Sequence, residues 1–89
     1  MATEDAFAAA QVRVKELARR PSDDELLELY ALYKQATAGD VSGKRPGLLD
    51  FKGRAKFDAW SRRKGESGEA CRQQYVRLVE RLVKQHGGG

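Results

Sequence analysis

Apolar positions recur with helical period in four stretches of the chain, and no stretch alternates as a half-buried strand would. Phe7, Ala10, Val14 and Leu17 fall at i, i+3, i+7 and i+10, an apolar stripe that predicts a first helix over about residues 4–18. Arg19 and Arg20 place positive charge near its C-terminal dipole end, and Pro21 prevents its continuation. Ser22 followed by Glu25, with Asp23 and Asp24 between them, forms a capping box. A second helix is therefore expected over 23–38, with Leu29, Leu32 and Ala36 as its core stripe and Gly39 as its C-terminal cap. Asp50 can cap a third helix over 51–63, ended by Gly65. Ser67 can cap a fourth over 67–86, in which Cys71, Tyr75, Leu78 and Leu82 stand at i, i+4, i+7 and i+11 and Val79 and Val83 widen the stripe. The tail from His86 to Gly89 is expected to fray. The pattern predicts an all-α protein, a small four-helix bundle. Its loop between helices two and three, residues 39–50, is long for a helical domain, and such loops are often functional. Within that loop Arg45-Pro46-Gly47 reads as a turn with proline at its first central position.

Composition narrows the class. The 89 residues make one domain, 1–89, and the charged fraction of 34% with a mean hydropathy of −0.68 describes a soluble protein. No apolar run approaches the roughly 20 residues that span a bilayer, so no stable membrane insertion is expected. The N-terminus, MATEDAFAAA, is acidic and lacks the basic and apolar blocks of a signal peptide. Cys71, the single cysteine, cannot form an internal disulfide, which fits a cytoplasmic protein. The net charge of +4 is unevenly spread: residues 1–30 hold 4 basic and 7 acidic side chains, residues 44–64 hold 8 basic and 2 acidic. An anionic partner is expected to meet the second block.

Catalytic chemistry has little to work with. The one histidine, His86, lies in the tail, and Cys71 sits on an apolar stripe, where it reads as a small buried hydrophobe. No Cys/His spacing suggests zinc, and Gly53-Arg54-Ala55-Lys56 lacks the glycines and preceding strand of a phosphate loop. No enzyme activity, metal or cofactor is expected. Helices two and three carry a different constellation. Tyr30, Tyr33 and Lys34 project from one side of helix two at i, i+3 and i+4. Lys52 and Lys56 stand one turn apart on helix three, with Phe57 and Trp60 on the adjacent stripe. Ammonium and phenol donors suit a multiply charged phosphate, and the rings suit an apolar part of the same ligand. By spacing alone the partner is an amphiphilic anion.

The residues themselves resemble a known family. Tyr-x-x-Tyr-Lys-Gln-Ala-Thr-x-Gly-Asp at 30–40, Arg-Pro-Gly at 45–47 and Lys-Gly-x-Ala-Lys-x-x-Ala-Trp at 52–60 look like the acyl-CoA-binding proteins. Pro21-Ser22-Asp23, Gly65 and Tyr75 extend the match without gaps over nearly the whole chain. The resemblance implies a non-catalytic four-helix bundle, expected to be monomeric, that binds long-chain fatty acyl-CoA esters one to one. Such a protein holds a soluble pool of them and passes them to acyl-CoA-using enzymes. It implies that Tyr30, Lys34 and Lys56 grip the 3′-phosphate of CoA and that Lys15 and Tyr75 complete the nucleotide pocket. Lys52 would lie beside the pantetheine and acyl portion, and the acyl chain would run between helices two and three over Leu26 and Leu27. Ala31, Leu32 and Tyr33 join that implied set on helix two. Phe57 departs from the pattern, since many members have tryptophan there, and the larger ring and indole N–H are absent. Trp60, at the second aromatic position, reads as core.

Two other readings of the same residues make different predictions. A nucleic-acid module using the basic block at 44–64 would bind with steep salt dependence and ignore acyl chains. An amphipathic bundle at a membrane surface would bind liposomes without CoA.

Overall fold

The computed structural model describes residues 3–87. Within them lie four helices: α1 (Thr3–Lys15), α2 (Asp23–Ala38), α3 (Phe51–Ser61) and α4 (Gly68–His86). The local signals in the sequence set most of the boundaries. The Ser22 hydroxyl accepts from the Glu25 N–H at 3.1 Å while the Glu25 carboxylate accepts from the Ser22 N–H at 2.8 Å, closing the capping box. The Asp50 side chain accepts from the Gly53 N–H at 2.9 Å, and Ser67 from that of Ala70 at 3.1 Å. Gly53 stands in a helix, where glycine costs up to about 1 kcal/mol, because a Cβ there would run into the capping carboxylate of Asp50. Gly39 ends α2 at φ 82°, ψ −153°, a region that is neither α-helical nor left-handed helical and that a side chain would oppose; its N–H still reaches Gln35 O at 3.2 Å.

Several expected boundaries move, each for a visible reason. α1 stops at Lys15 and not at 18: the Glu16 N–H turns back to Arg13 O at 3.0 Å, and the Ala18 N–H is taken by Gly87 O at 3.1 Å. α3 stops at Ser61 and not at 63, because Arg63 and Lys64 donate three residues back, to Trp60 O and Ser61 O, tightening the last turn. The tail does not fray at its start. His86 closes α4 with Nε2 at 3.2 Å from Glu25, and Gly87 bonds to Val83 O and Ala18 N. Gly88 and Gly89 lie outside the described residues. The turn in the long loop is Gly47-Leu48-Leu49-Asp50, closed by the Asp50 N–H on Gly47 O at 3.0 Å, one step beyond the proline-centred turn that the sequence suggests.

The helices pack in the order α1, α4, α2, α3, with α1 against α4, α4 against α2 and α2 against α3. The core is Phe7 and Ala10 of α1, Leu29 and Leu32 of α2, and Cys71, Tyr75, Leu78, Val79 and Leu82 of α4, with Val14, Leu17 and Ala36 packed at its edge. Among the described residues one polar side chain is buried with them: Gln35 donates through Nε2 to Asp40 Oδ1 at 2.8 Å and to Glu66 O at 2.9 Å, tying the end of α2 to the α3–α4 turn. Lys56 lies beside Tyr30 and Trp60 beside Lys34, so α2 and α3 run in the same direction. A parallel neighbour requires the chain to travel back along the length of the helix it has just left, about 24 Å for the 16 residues of α2. That topology accounts for the length of the 39–50 connection. Arg45 pins the connection to α3 by a two-pronged pair with Asp58, at 2.9 and 2.7 Å.

Candidate functional site

Parallel packing of α2 and α3 leaves a groove of about 620 Å³ along their seam. Leu26, Leu27 and Tyr30 line it from α2, and Phe51, Lys52, Ala55 and Lys56 from α3. Arg20 and Asp23, paired at 3.1 Å, close the end nearest the start of α2. The helical periods explain the lining: Leu26 and Tyr30 are four residues apart on α2, as are Phe51 and Ala55, and Lys52 and Lys56, on α3. The groove is apolar along its length and cationic along one rim.

The end marked by Tyr30 is where rings and lysines concentrate. Lys56 Nζ lies 5.4 Å from the centroid of the Tyr30 ring, and Lys34 Nζ lies 4.8 Å from that of Trp60, one turn further along α2. An aromatic face holds an ammonium group without consuming its N–H donors, so both lysines are parked beside the seam with donors to spare. Trp60 itself is core, as expected, with its indole N–H on Gly39 O at 2.8 Å. Toward α1 and α4, Phe7 bridges two tyrosines, stacking on Tyr33 at 6.1 Å and meeting Tyr75 edge-on at 5.1 Å. Burial, and then the nearby Tyr33 phenol, push the Tyr75 hydroxyl above its ordinary value, so it stays a neutral donor. Lys15 is exposed in the last turn of α1.

Not every expected residue falls here. Leu32 is 1% exposed and belongs to the core, which leaves it no surface for a ligand. Ala31 is buried too, and lines a second cavity of about 550 Å³ on another face of α2, with Leu27, Ala59 and an equal number of acidic and arginine side chains. Conversely, Arg20, Asp23, Phe51 and Ala55 line the groove and were absent from the expected set. Phe51 and Ala55 were signalled by their i, i+4 spacing directly after the Asp50 cap. Arg20 and Asp23 read in sequence only as charges around a helix start. The basic block at 44–64 is also less open than its count suggests. Arg45 is committed to Asp58, and Arg63 lies within 3.5 Å of Glu28 and Glu66.

A small helical bundle with an apolar seam, ring-backed lysines and phenol donors suits a binding protein for an amphiphilic anion. Comparison with known proteins makes the class specific. The model of the Acyl CoA binding protein family matches residues 4–79. An acyl-CoA-binding protein homolog of Drosophila melanogaster is 55% identical over 80 residues, covering 90% of this chain and 93% of that protein. An acyl-CoA-binding protein homolog of Manduca sexta is 49% identical over 88 residues, 98% of each chain. Among solved structures, that of Oryza sativa Acyl-CoA-Binding Protein 2 matches with a TM-score of 0.89 at 36% identity, covering 94% of this chain and 93% of that one. The chain belongs to the acyl-CoA-binding protein family, a family of binding proteins and not of enzymes.

Proposed function

We propose that the protein binds long-chain fatty acyl-CoA esters one to one and carries them as a soluble cytoplasmic pool for acyl-CoA-using enzymes. The observation that carries this reading is the α2–α3 groove, apolar along Leu26, Leu27, Phe51 and Ala55 and ending at Tyr30 and Lys56. Its volume, about 620 Å³, falls within the ~300–1,000 Å³ of small-molecule sites. In this reading Tyr30, Lys34 and Lys56 hold the 3′-phosphate of CoA, with Lys15, Tyr33 and Tyr75 completing the nucleotide end. A phosphate draws the two ammonium groups off their rings, replacing weak ring contacts with charge-assisted hydrogen bonds. Lys52, on the groove rim, faces the pantetheine. The acyl chain lies over Leu26 and Leu27, where each buried CH₂ contributes about 0.8 kcal/mol. Phe57, half-buried on α3, supplies less area than a tryptophan there and bears on affinity and chain-length preference.

Native mass spectrometry of protein purified from cells tests the ligand class. The expected spectrum contains a one-to-one species heavier by the mass of an acyl-CoA. A bound nucleic-acid fragment or a free fatty acid in its place would overturn the reading.

A further inference from the structure

Three large apolar side chains stand almost fully in the open at one place on the surface: Leu48 is 77% exposed, Leu49 90% and Phe51 76%. Leu48 and Leu49 occupy the two central positions of the Gly47–Asp50 turn, where glycine, asparagine and aspartate are the usual residues. The turn therefore pushes two leucines outward, and Phe51 follows on the first residue of α3. Neither leucine lines the groove or joins the core. Around this tip the chain is basic: Lys44, Lys52 and Arg54 flank it in sequence against Asp50, while Arg45 is taken by Asp58 and Lys56 lies over Tyr30 further along the groove.

We infer that the Leu48–Leu49–Phe51 tip is a docking point for an anionic lipid bilayer, with the two leucines entering the headgroup–acyl boundary and the surrounding lysines facing anionic headgroups. Charge complementarity selects this occupant, because protruding apolar residues ringed by cations are the combination that a negatively charged lipid surface attracts. A second copy of the chain fits less well. Three protruding side chains fall far short of the ~800 Å² per partner of a stable protein interface, and two such tips would bring like charges together. Docking at this point aims the groove at the lipid, since Phe51 belongs to both the tip and the groove lining. A bound acyl chain would then leave toward the bilayer at the end away from Tyr30 and Lys56. The docking rests on the exposed residues alone, while this last consequence rests on the acyl-CoA reading.

The test is co-sedimentation of the ligand-free protein with phosphatidylcholine vesicles and with vesicles that also contain phosphatidylserine, at low ionic strength. Alongside it, calorimetry with palmitoyl-CoA is run on the parent and on the double variant Leu48→Ser/Leu49→Ser. The expected result is binding to the anionic vesicles only, weakened by added salt and at least tenfold weaker in the double variant, about 1.4 kcal/mol. The calorimetric affinity is expected to stay at the parent value, because neither leucine lines the groove. Equal vesicle binding by parent and variant, or no binding by the parent, would overturn the proposal. So would self-association of the parent in sedimentation velocity that the double substitution abolishes, which would assign the tip to a second copy. Loss of palmitoyl-CoA binding by the parent would instead strike the acyl-CoA reading and leave the docking result standing.

Discussion

The Trp60 indole N–H donates to the Gly39 carbonyl at 2.8 Å, fastening α3 to the residue that ends α2. Lys34 Nζ lies over the same indole ring, 4.8 Å from its centroid. Trp60→Phe keeps an aromatic face for Lys34 and removes the donor. It is expected to cost about 0.5–1.5 kcal/mol, the net value of a neutral hydrogen bond, plus the smaller ring's lost contacts. Urea denaturation measures it; an unchanged midpoint would mean that the bond contributes nothing.

Lys34 and Lys56 are expected to carry affinity and not stability. Each lies on a ring beside the seam, where an exposed cation–π contact is worth only about 0.5–1 kcal/mol to the fold. Lys34→Ala and Lys56→Ala should each weaken palmitoyl-CoA binding by roughly 1.5–3 kcal/mol, the value of hydrogen bonds to a charged group. Calorimetric titration, with thermal melts as control, checks both. Variants that bind like the parent would remove these residues from the phosphate site.

Core and groove residues on α2 separate in the same way. Leu32 is fully buried and Leu27 is half-buried on the groove wall. Leu32→Ala is expected to cost about 2–5 kcal/mol of stability through the cavity it leaves. Leu27→Ala should weaken binding of long-chain esters more than of short-chain ones. If Leu27→Ala chiefly destabilises the fold and leaves chain-length preference intact, the acyl chain does not run over it.

The fold was legible because its signals are local. The capping box at Ser22, the caps at Asp50 and Ser67 and the α4 stripe all stand as the pattern gave them. What escaped depends on distant partners. α1 ends early because Ala18 finds Gly87, and the tail is held because His86 finds Glu25, contacts that span most of the chain. Gln35 reads as an ordinary polar helix residue until Asp40 and Glu66 O surround it. On the site, Tyr30, Leu26, Lys52 and Lys56 were visible as stripes. Period placed Leu32 on the core stripe, where it lies, and only the family resemblance also put it in the ligand set; α2 is apolar around more than half its circumference, so core and groove residues stand side by side on it.

Acid should loosen the ends of α2. Hydrogen bonds from the Gly65 N–H and then from Gln35 hold Asp40 below its ordinary carboxylate value. The Ser22 N–H, and then His86, do the same for Glu25. A carboxylate whose folded pKa is depressed contributes stability that is fully present above its unfolded value, near pH 4, and is lost as pH falls through the folded value. Melting temperature is therefore expected to drop steeply below about pH 4. Asp40→Asn should flatten that drop, since it leaves one fewer group to protonate. An identical acid profile in the variant would show that the Asp40 bonds do not couple to folding.

The most direct test of the central claim compares three ligands side by side: palmitoyl-CoA, its 3′-dephospho form and free palmitate. Tyr30, Lys34 and Lys56 would meet a terminal phosphate with one phenol and two ammonium donors. Without it the charge-assisted hydrogen bonds to these donors are lost, and each ammonium keeps only its ring, Lys34 over Trp60 and Lys56 over Tyr30. The dephospho ester is expected to bind at least tenfold more weakly, about 1.4 kcal/mol, and palmitate to show no stoichiometric binding. Comparable affinities for all three would contradict the account, because the apolar groove alone, and not the lysine–tyrosine end, would then decide what the protein holds.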